Sequence, residues 1–193
     1  MREYSIIMIG KIIVRISEVL LDPVESFQQS ENDGPKEVLT YFVVLFLINS
    51  VLSTVVKYIG LDSETIALSP VFGNIFFLFA FAVISFLVMA AIFVMLLHFW
   101  LYILCGKGGI MQTIKAFVYA STPMFLFGWI PVIGFIFTIW SAVLIVLGIR
   151  ELHKMSTGEA AGAFVATIII TAGIFIFLIG ALLIPVIGTT TVT

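Results

Sequence analysis

The stretch KAFVYASTPMFLFGWIPVIG, residues 115–134, decides how this chain is read. It is almost wholly apolar, yet it carries Pro123 and Pro131. A proline inside a helix removes a backbone donor and clashes with the preceding turn, at a cost of about 3 kcal/mol. Two of them can be reconciled with helix only if one stands at a turn and the other at a kink. Gly128 and Pro131 flank the short sequence GWIP, which predicts a tight turn with Pro131 starting the returning helix, where its missing N–H costs nothing. Pro123 falls inside the preceding segment and predicts a kink, with Ser121 or Thr122 able to satisfy a freed carbonyl. A gating hinge at Pro123 is the functional alternative to a packing kink.

The solvent these helices see follows from composition. Of 193 residues, 62% are hydrophobic and only 10% charged, with a mean hydropathy of +1.25. Soluble domains are roughly 45–50% apolar and about 25% charged. A core this small cannot hide such an excess, so the chain is an integral membrane protein. Cys105 is its only cysteine, which excludes an intrachain disulfide and a cysteine-rich metal site. The apolar start YSIIMIGKIIVRI is interrupted by Lys11 and Arg15 and lacks a small-residue cleavage site, so it does not read as a signal peptide.

Crossing roughly 30 Å of hydrocarbon takes about 20 apolar residues. Five segments meet or approach this: 38–58, 71–105, 112–128, 131–150 and 160–186. The first follows Pro35 and stops at Gly60; the second follows Ser69 and Pro70 and ends at Gly106. No Gly or Pro interrupts residues 75–105, so the second reads as one long helix, tilted or projecting beyond the bilayer. STGE, residues 156–159, forms a capping box before the fifth span. Ala166, Gly173 and Gly180 recur along that span as a small-residue stripe suited to helix packing, with a dimer interface as the alternative.

Cationic residues mark cytoplasmic loops. With five spans and a cytoplasmic N-terminus, Arg2, Lys11, Arg15, Lys36, Lys107, Lys115, Arg150 and Lys154 lie inside and only Lys57 outside. Splitting the long second segment would destroy this bias. Tyr41, Trp100 and Tyr102 then fall near the inner interface, and Tyr58 and Trp129 near the outer one. The expected architecture is therefore all-α: an interfacial helical segment over 1–36, a five-span transmembrane bundle over 37–187 and a short external tail at 188–193.

Lys11, Arg15, Glu18, Asp22 and Glu25 are spaced by 4, 3, 4 and 3, one polar stripe opposite isoleucines. This predicts an amphipathic helix lying in the inner interface. DPVE, residues 22–25, predicts a break and a second short helix containing Phe27. The stripe is a membrane anchor or a partner-binding face, and charge reversal at Lys11 and Arg15 is expected to leave the bundle folded.

Signs of chemistry are sparse. No Asp or Glu lies inside a span, and no nucleophile–base set, paired carboxylates, phosphate loop or metal-ligand cluster is visible, so no enzyme activity, cofactor or bound metal is expected. GKGG, residues 106–109, reads as a helix stop. His98 stands alone near the inner end of the second span. Asn49, Ser53 and Lys57, four residues apart, form with Asn74 the best polar group; it reads as interhelical hydrogen bonding or as a solute or lipid path.

The order LLDPVESFQQ, GPKEVLTYFVVLFLINSVLS, LYILCGKGG, TIKAFVYASTPMFLFGWIPVIG and GIRELHKMSTGEAA resembles the Yip family of Ypt/Rab-interacting membrane proteins. The resemblance rests on D-P-x-x-x-F, Y-A-S-x-P and G-I-R-E-x-H-K-x-S, and covers nearly the whole chain. It implies five spans with a cytoplasmic N-terminus and a compact, prokaryotic-type member, hence the cell membrane. Eukaryotic relatives are implicated in early secretory trafficking and bind Rab GTPases through a longer cytosolic region; with about 36 residues before the first span, GTPase binding is not carried over. The expected function is organisation of lipids or of membrane or cytoplasmic protein partners, with self-association open and no nucleic acid involved. The alternative is a transporter, channel or lipid scramblase.

Overall fold

The computed structural model describes residues 2–60, 74–104 and 106–190, with side chains over 9–60, 74–104 and 106–178. The described residues form α1 (Arg2–Leu21), α2 (Pro23–Ser30), α3 (Pro35–Ile59), α4 (Ile75–Ile103), α5 (Ile110–Ala120), α6 (Thr122–Phe127), α7 (Ile133–His153) and α8 (Thr157–Thr190), with no strand among them. Four helices are long and apolar enough to cross a membrane: Pro35–Ile59, Ile75–Ile103, Ile133–His153 and, within α8, Thr157–Leu178. On α4 only Leu97 and Leu101 are buried, while Phe76, Phe81, Ile84, Val88 and Met95 are exposed. Such an apolar surface requires a lipid solvent. The chain is an integral membrane protein.

The third expected span, 112–128, is not one helix. It breaks at Ser121 into α5 and α6, with Pro123 in the first turn of α6. Pro123 cannot donate to the Tyr119 carbonyl; the Thr122 hydroxyl does so instead, at 2.6 Å. The Ser121 hydroxyl likewise returns to the Phe117 carbonyl at 2.7 Å. Hydroxyls thus replace what the proline removes. α5 is buried on nearly every side, from Lys115 through Ala120 and at Thr113. It is the centre of the bundle, with α3, α4 and α7 packed around it.

One end of the bundle gathers the start of α3, the end of α4, the start of α5, the end of α7 and the start of α8. The Lys107 N–H donates to the His153 carbonyl there, at 3.1 Å. From this end α3, α5–α6 and α8 run outward, and α4 and α7 return. Phe27 of α2 is fully buried against α7. A Cβ on Gly148 would lie 2.8 Å from the Phe27 ring, so this crossing depends on glycine.

Other boundaries move for local reasons. α4 is capped by Asn74, whose side-chain oxygen accepts from the N–H groups of Phe76 and Phe77; the expected start at Ser69 and Pro70 lies outside the described residues. α8 begins at Thr157, inside the Ser156–Glu159 box rather than after it, with Ser156 N–H donating to Glu159 at 2.9 Å and Glu159 N–H donating to the Ser156 hydroxyl at 3.3 Å. It continues to Thr190, so the first half of the expected tail at 188–193 is helical, and residues 191–193 lie outside the described ones. At Asp22 the chain breaks as expected, with its side chain accepting from Glu25 N–H at 3.4 Å.

Pro131 does not start the returning helix. It precedes a γ-turn centred on Val132, with φ 68 and ψ −56, closed by Ile133 N–H to the Pro131 carbonyl at 2.8 Å. A β-branched residue at positive φ is strained by about 1–3 kcal/mol. The turn is also tight: a Cβ on Gly134 would lie 2.5 Å from the Gly128 carbonyl oxygen. Val132→Gly should therefore raise the thermal midpoint in detergent, and Gly134→Ala should lower it, each by an amount equivalent to about 1 kcal/mol or more. Equal midpoints for both variants would show that the turn is relaxed.

Candidate functional site

The linker between α2 and α3, residues 31–34, is four residues long and ties together α1, α5 and the turn that follows α7. Both carboxylate oxygens of Asp33 accept from Nη2 of Arg15 on α1, at 3.0 and 3.2 Å, and one also accepts from the Tyr119 hydroxyl on α5 at 2.5 Å. The Arg15 guanidinium also lies 5.3 Å from the Tyr119 ring centre and reaches the Ser26 carbonyl at 3.3 Å. Side chains of Arg15 and Asp33 are only 18% and 15% exposed, so this pair is shielded from water. Glu31 adds a second anchor. Its carbonyl accepts from the Lys115 ammonium at 2.8 Å and from Gln112 at 3.3 Å, and its carboxylate pairs with Lys154 at 2.9 Å.

From Asp33 the polar contacts continue inward. The rings of Tyr119 and Tyr41 meet edge-on at 5.1 Å. The Thr122 hydroxyl donates to the Tyr119 carbonyl, so the Tyr41 hydroxyl is the donor in its 2.8 Å bond to Thr122. The α6 break is thereby connected to the linker through α3.

Above this base opens a cleft of about 640 Å³ between α1 and the start of α3. Arg15, Asp33, Tyr41 and Tyr119 form its base. Lys11, Glu18, Lys36 and Glu37 stand around it, and most of the remaining wall is apolar. Lys11 and Glu37 approach to 3.6 Å but are 72% and 57% exposed, a pairing of little worth. Of the stripe residues, Lys11, Arg15 and Glu18 line the cleft, and Asp22 caps α2. Ile9, Ile13 and Val14 are exposed, while Val19 is fully buried. Arg15 is therefore a structural residue as well as a surface charge, and reversing it cannot leave the clamp intact.

The other expected groups separate. Asn49 donates to the carbonyls of Met124 and Phe125, at 3.2 and 3.1 Å, and accepts from Ser53 at 3.3 Å. It binds α3 to α6. Lys57 is exposed, and Asn74 is occupied as a helix cap rather than grouped with Asn49. His98 is not alone: its Nδ1 lies 2.9 Å from the Thr113 hydroxyl, which lies 3.0 Å from Nε2 of the fully buried His153. The GKGG loop folds over this ring, with a Cβ on Gly108 placed 2.9 Å from His153 Nδ1. No group of three potential metal ligands occurs among the described residues. On α8 the buried residues are Ala160, Ala163, Phe164 and Thr167; Ala166 lines a shallow groove beside Trp100, and Gly173 has open space around its Cα. The surroundings of Gly180 lie outside the described side chains.

A family model described as the Yip1 domain matches residues 17–180. The chain belongs to the Yip1 domain family. None of the curated proteins or solved structures matches it. The match begins inside α1, two residues after Arg15, and takes in the whole linker together with α2 through α7. Within this Yip1 domain, the first and last of the stretches that carried the resemblance meet in space, with Phe27 on Gly148 and Gln28 donating to Glu151 at 2.9 Å, while Tyr119 of Y-A-S-x-P holds Asp33 of the linker.

Sequence reasoning singled out Arg15 but missed Asp33, Glu31, Lys115 and Tyr119. A usable signal existed in Lys115, a cation inside an apolar run that must find an oxygen when buried. Asp33→Ala should cost about 3 kcal/mol, because it leaves a shielded guanidinium with only the longer contacts to Glu18 and the Ser26 carbonyl. Tyr119→Phe should cost about 1 kcal/mol through loss of one hydrogen bond. Limited proteolysis provides the check: α1 should be cleaved faster in Asp33→Ala than in wild type, and equal cleavage would mean that the clamp does not hold α1.

Proposed function

We propose that this Yip1-domain protein is a non-enzymatic multi-pass membrane protein that organises protein partners or lipids at its cytoplasmic face. The observation that carries the reading is the clamp of Asp33 on Arg15 and Tyr119. It fixes α1 against the bundle while leaving Ile9, Ile13 and Val14 exposed beside a charge-lined cleft. A fixed, partly apolar surface of this kind suits recognition, and Asn49, the best candidate for a transport path, is consumed in tying α3 to α6.

In this reading α5 and α6 together supply a fifth crossing. Their 18 residues, 110–127, extend about 27 Å if roughly collinear, close to the hydrocarbon thickness of roughly 30 Å. The N-terminus is then cytoplasmic and the C-terminus outside. The clustering of Arg15, Lys115, Arg150 and Lys154 at one end of the bundle supports this orientation. Reporters fused to each terminus test it: opposite sides are expected, and the same side would leave four crossings.

Partner capture tests the organising role. Crosslinking in native membranes followed by affinity purification should recover a stoichiometric partner with the wild-type protein, reduced about tenfold for Ile9→Ser/Ile13→Ser. Recovery unaffected by these changes would remove α1 as the recognition surface.

A further inference from the structure

We propose that the cleft between α1 and the start of α3 binds a zwitterionic phospholipid whose headgroup carries a phosphate and a primary ammonium. This goes beyond the organising role and does not depend on a protein partner being found.

The argument is one of charge and shape. Six charged residues line the cleft: Lys11, Arg15, Lys36, Glu18, Asp33 and Glu37. Their formal charges sum to zero. Arg15 and Asp33 neutralise each other at the base, so the charges left to act on a ligand are two ammonium groups and two carboxylates. Glu18 also approaches Arg15, at 3.3 Å, but shares that guanidinium with the closer Asp33. Lys36 has no ion pair among the described residues, and the Lys11–Glu37 contact is long and exposed. Both lysines can therefore turn to a phosphate at little cost, which in turn frees Glu37 to join Glu18 in accepting from an ammonium. A ligand of net negative charge would leave the two carboxylates opposed to it. A ligand of both signs satisfies all four.

The mostly apolar wall adds the second requirement. The volume of about 640 Å³ falls in the range of small-molecule sites. Val14 lines the cleft and is 56% exposed, so an acyl chain leaving the headgroup passes along an apolar surface continuous with the outside of α1. Gly10 also lines it, and a Cβ there would meet nothing within 4 Å. This open wall permits a test by filling the space without altering charge.

The intact protein in mild detergent would be titrated with phosphatidylethanolamine, phosphatidylglycerol and the tail-less headgroup glycerophosphoethanolamine, and bound species counted by native mass spectrometry. Phosphatidylethanolamine should be retained about tenfold better than either of the others, the factor set by a difference of one charge-assisted hydrogen bond or of the acyl chains. Gly10→Leu should reduce its retention about tenfold by occlusion, and Lys11→Gln/Lys36→Gln by a similar factor through loss of the phosphate contacts. Lys57→Gln, at the far end of α3, should retain it as wild type does. Thermal midpoints matching wild type identify the variants as folded. Equal retention of phosphatidylglycerol, equal binding of the tail-less headgroup, or full retention by folded Gly10→Leu would each overturn the proposal.

Discussion

The carboxylate of Asp33 is where the structure's competing demands meet. A guanidinium placed among apolar helices must find an anion, because its desolvation otherwise exceeds what packing returns. Asp33 supplies that anion from a linker too short to wander, and Tyr119 completes the carboxylate's coordination. Because Arg15, Asp33 and Tyr119 belong to α1, the α2–α3 linker and α5, one ion pair sets the position of the N-terminal segment relative to the centre of the bundle. The burial of Phe27 on Gly148 follows from the same placement, since α2 is held between Asp22 and the linker.

The central position of α5 explains why the α5–α6 segment is a broken one. A helix surrounded by neighbours needs no long lipid-facing surface, and its stability comes from contact on all sides. A break in it is tolerable only if the backbone groups released find partners nearby. Ser121 and Thr122 supply two from the same segment, Asn49 donates to two carbonyls from α3, and Ser141 accepts the Met124 N–H at 3.0 Å from α7. In lipid each unsatisfied group would cost several kcal/mol. Four of the hydroxyl and amide residues in these apolar helices thus serve the segment that one proline breaks.

This division also accounts for what could be read from the sequence. Hydropathy is a property of each segment, so the membrane class, four spanning helices and the helical N-terminus were legible, as were the caps at Asp22 and Ser156. The family resemblance was legible because it rests on local strings such as Y-A-S-x-P. The junction of those strings was not. Asp33 reads as an ordinary turn residue in NDGP, and nothing local says that Arg15 and Tyr119 will meet on it. The same limit applies to His153, which reads as a loop residue and is buried against Thr113 beneath two glycines. At Val132 the local signal misled: Pro131 suits a helix start, but the close approach of Gly134 to Gly128 required one more turn before the helix could begin.

The cations that suggested orientation turn out to be unequal. Arg15, Lys115, Arg150 and Lys154 each have an oxygen partner in the structure, three of them on or beside the linker. Their positions are constrained by these partners as well as by the bilayer. Lys36, with no ion pair among the described residues, and Lys11, with only an exposed one, are not so constrained, and both stand at the cleft. A chain with only 10% charged residues has few to spare. Lys11 and Lys36 thus border the charge-lined cleft between α1 and α3 without either being spent on a buried ion pair of the fold.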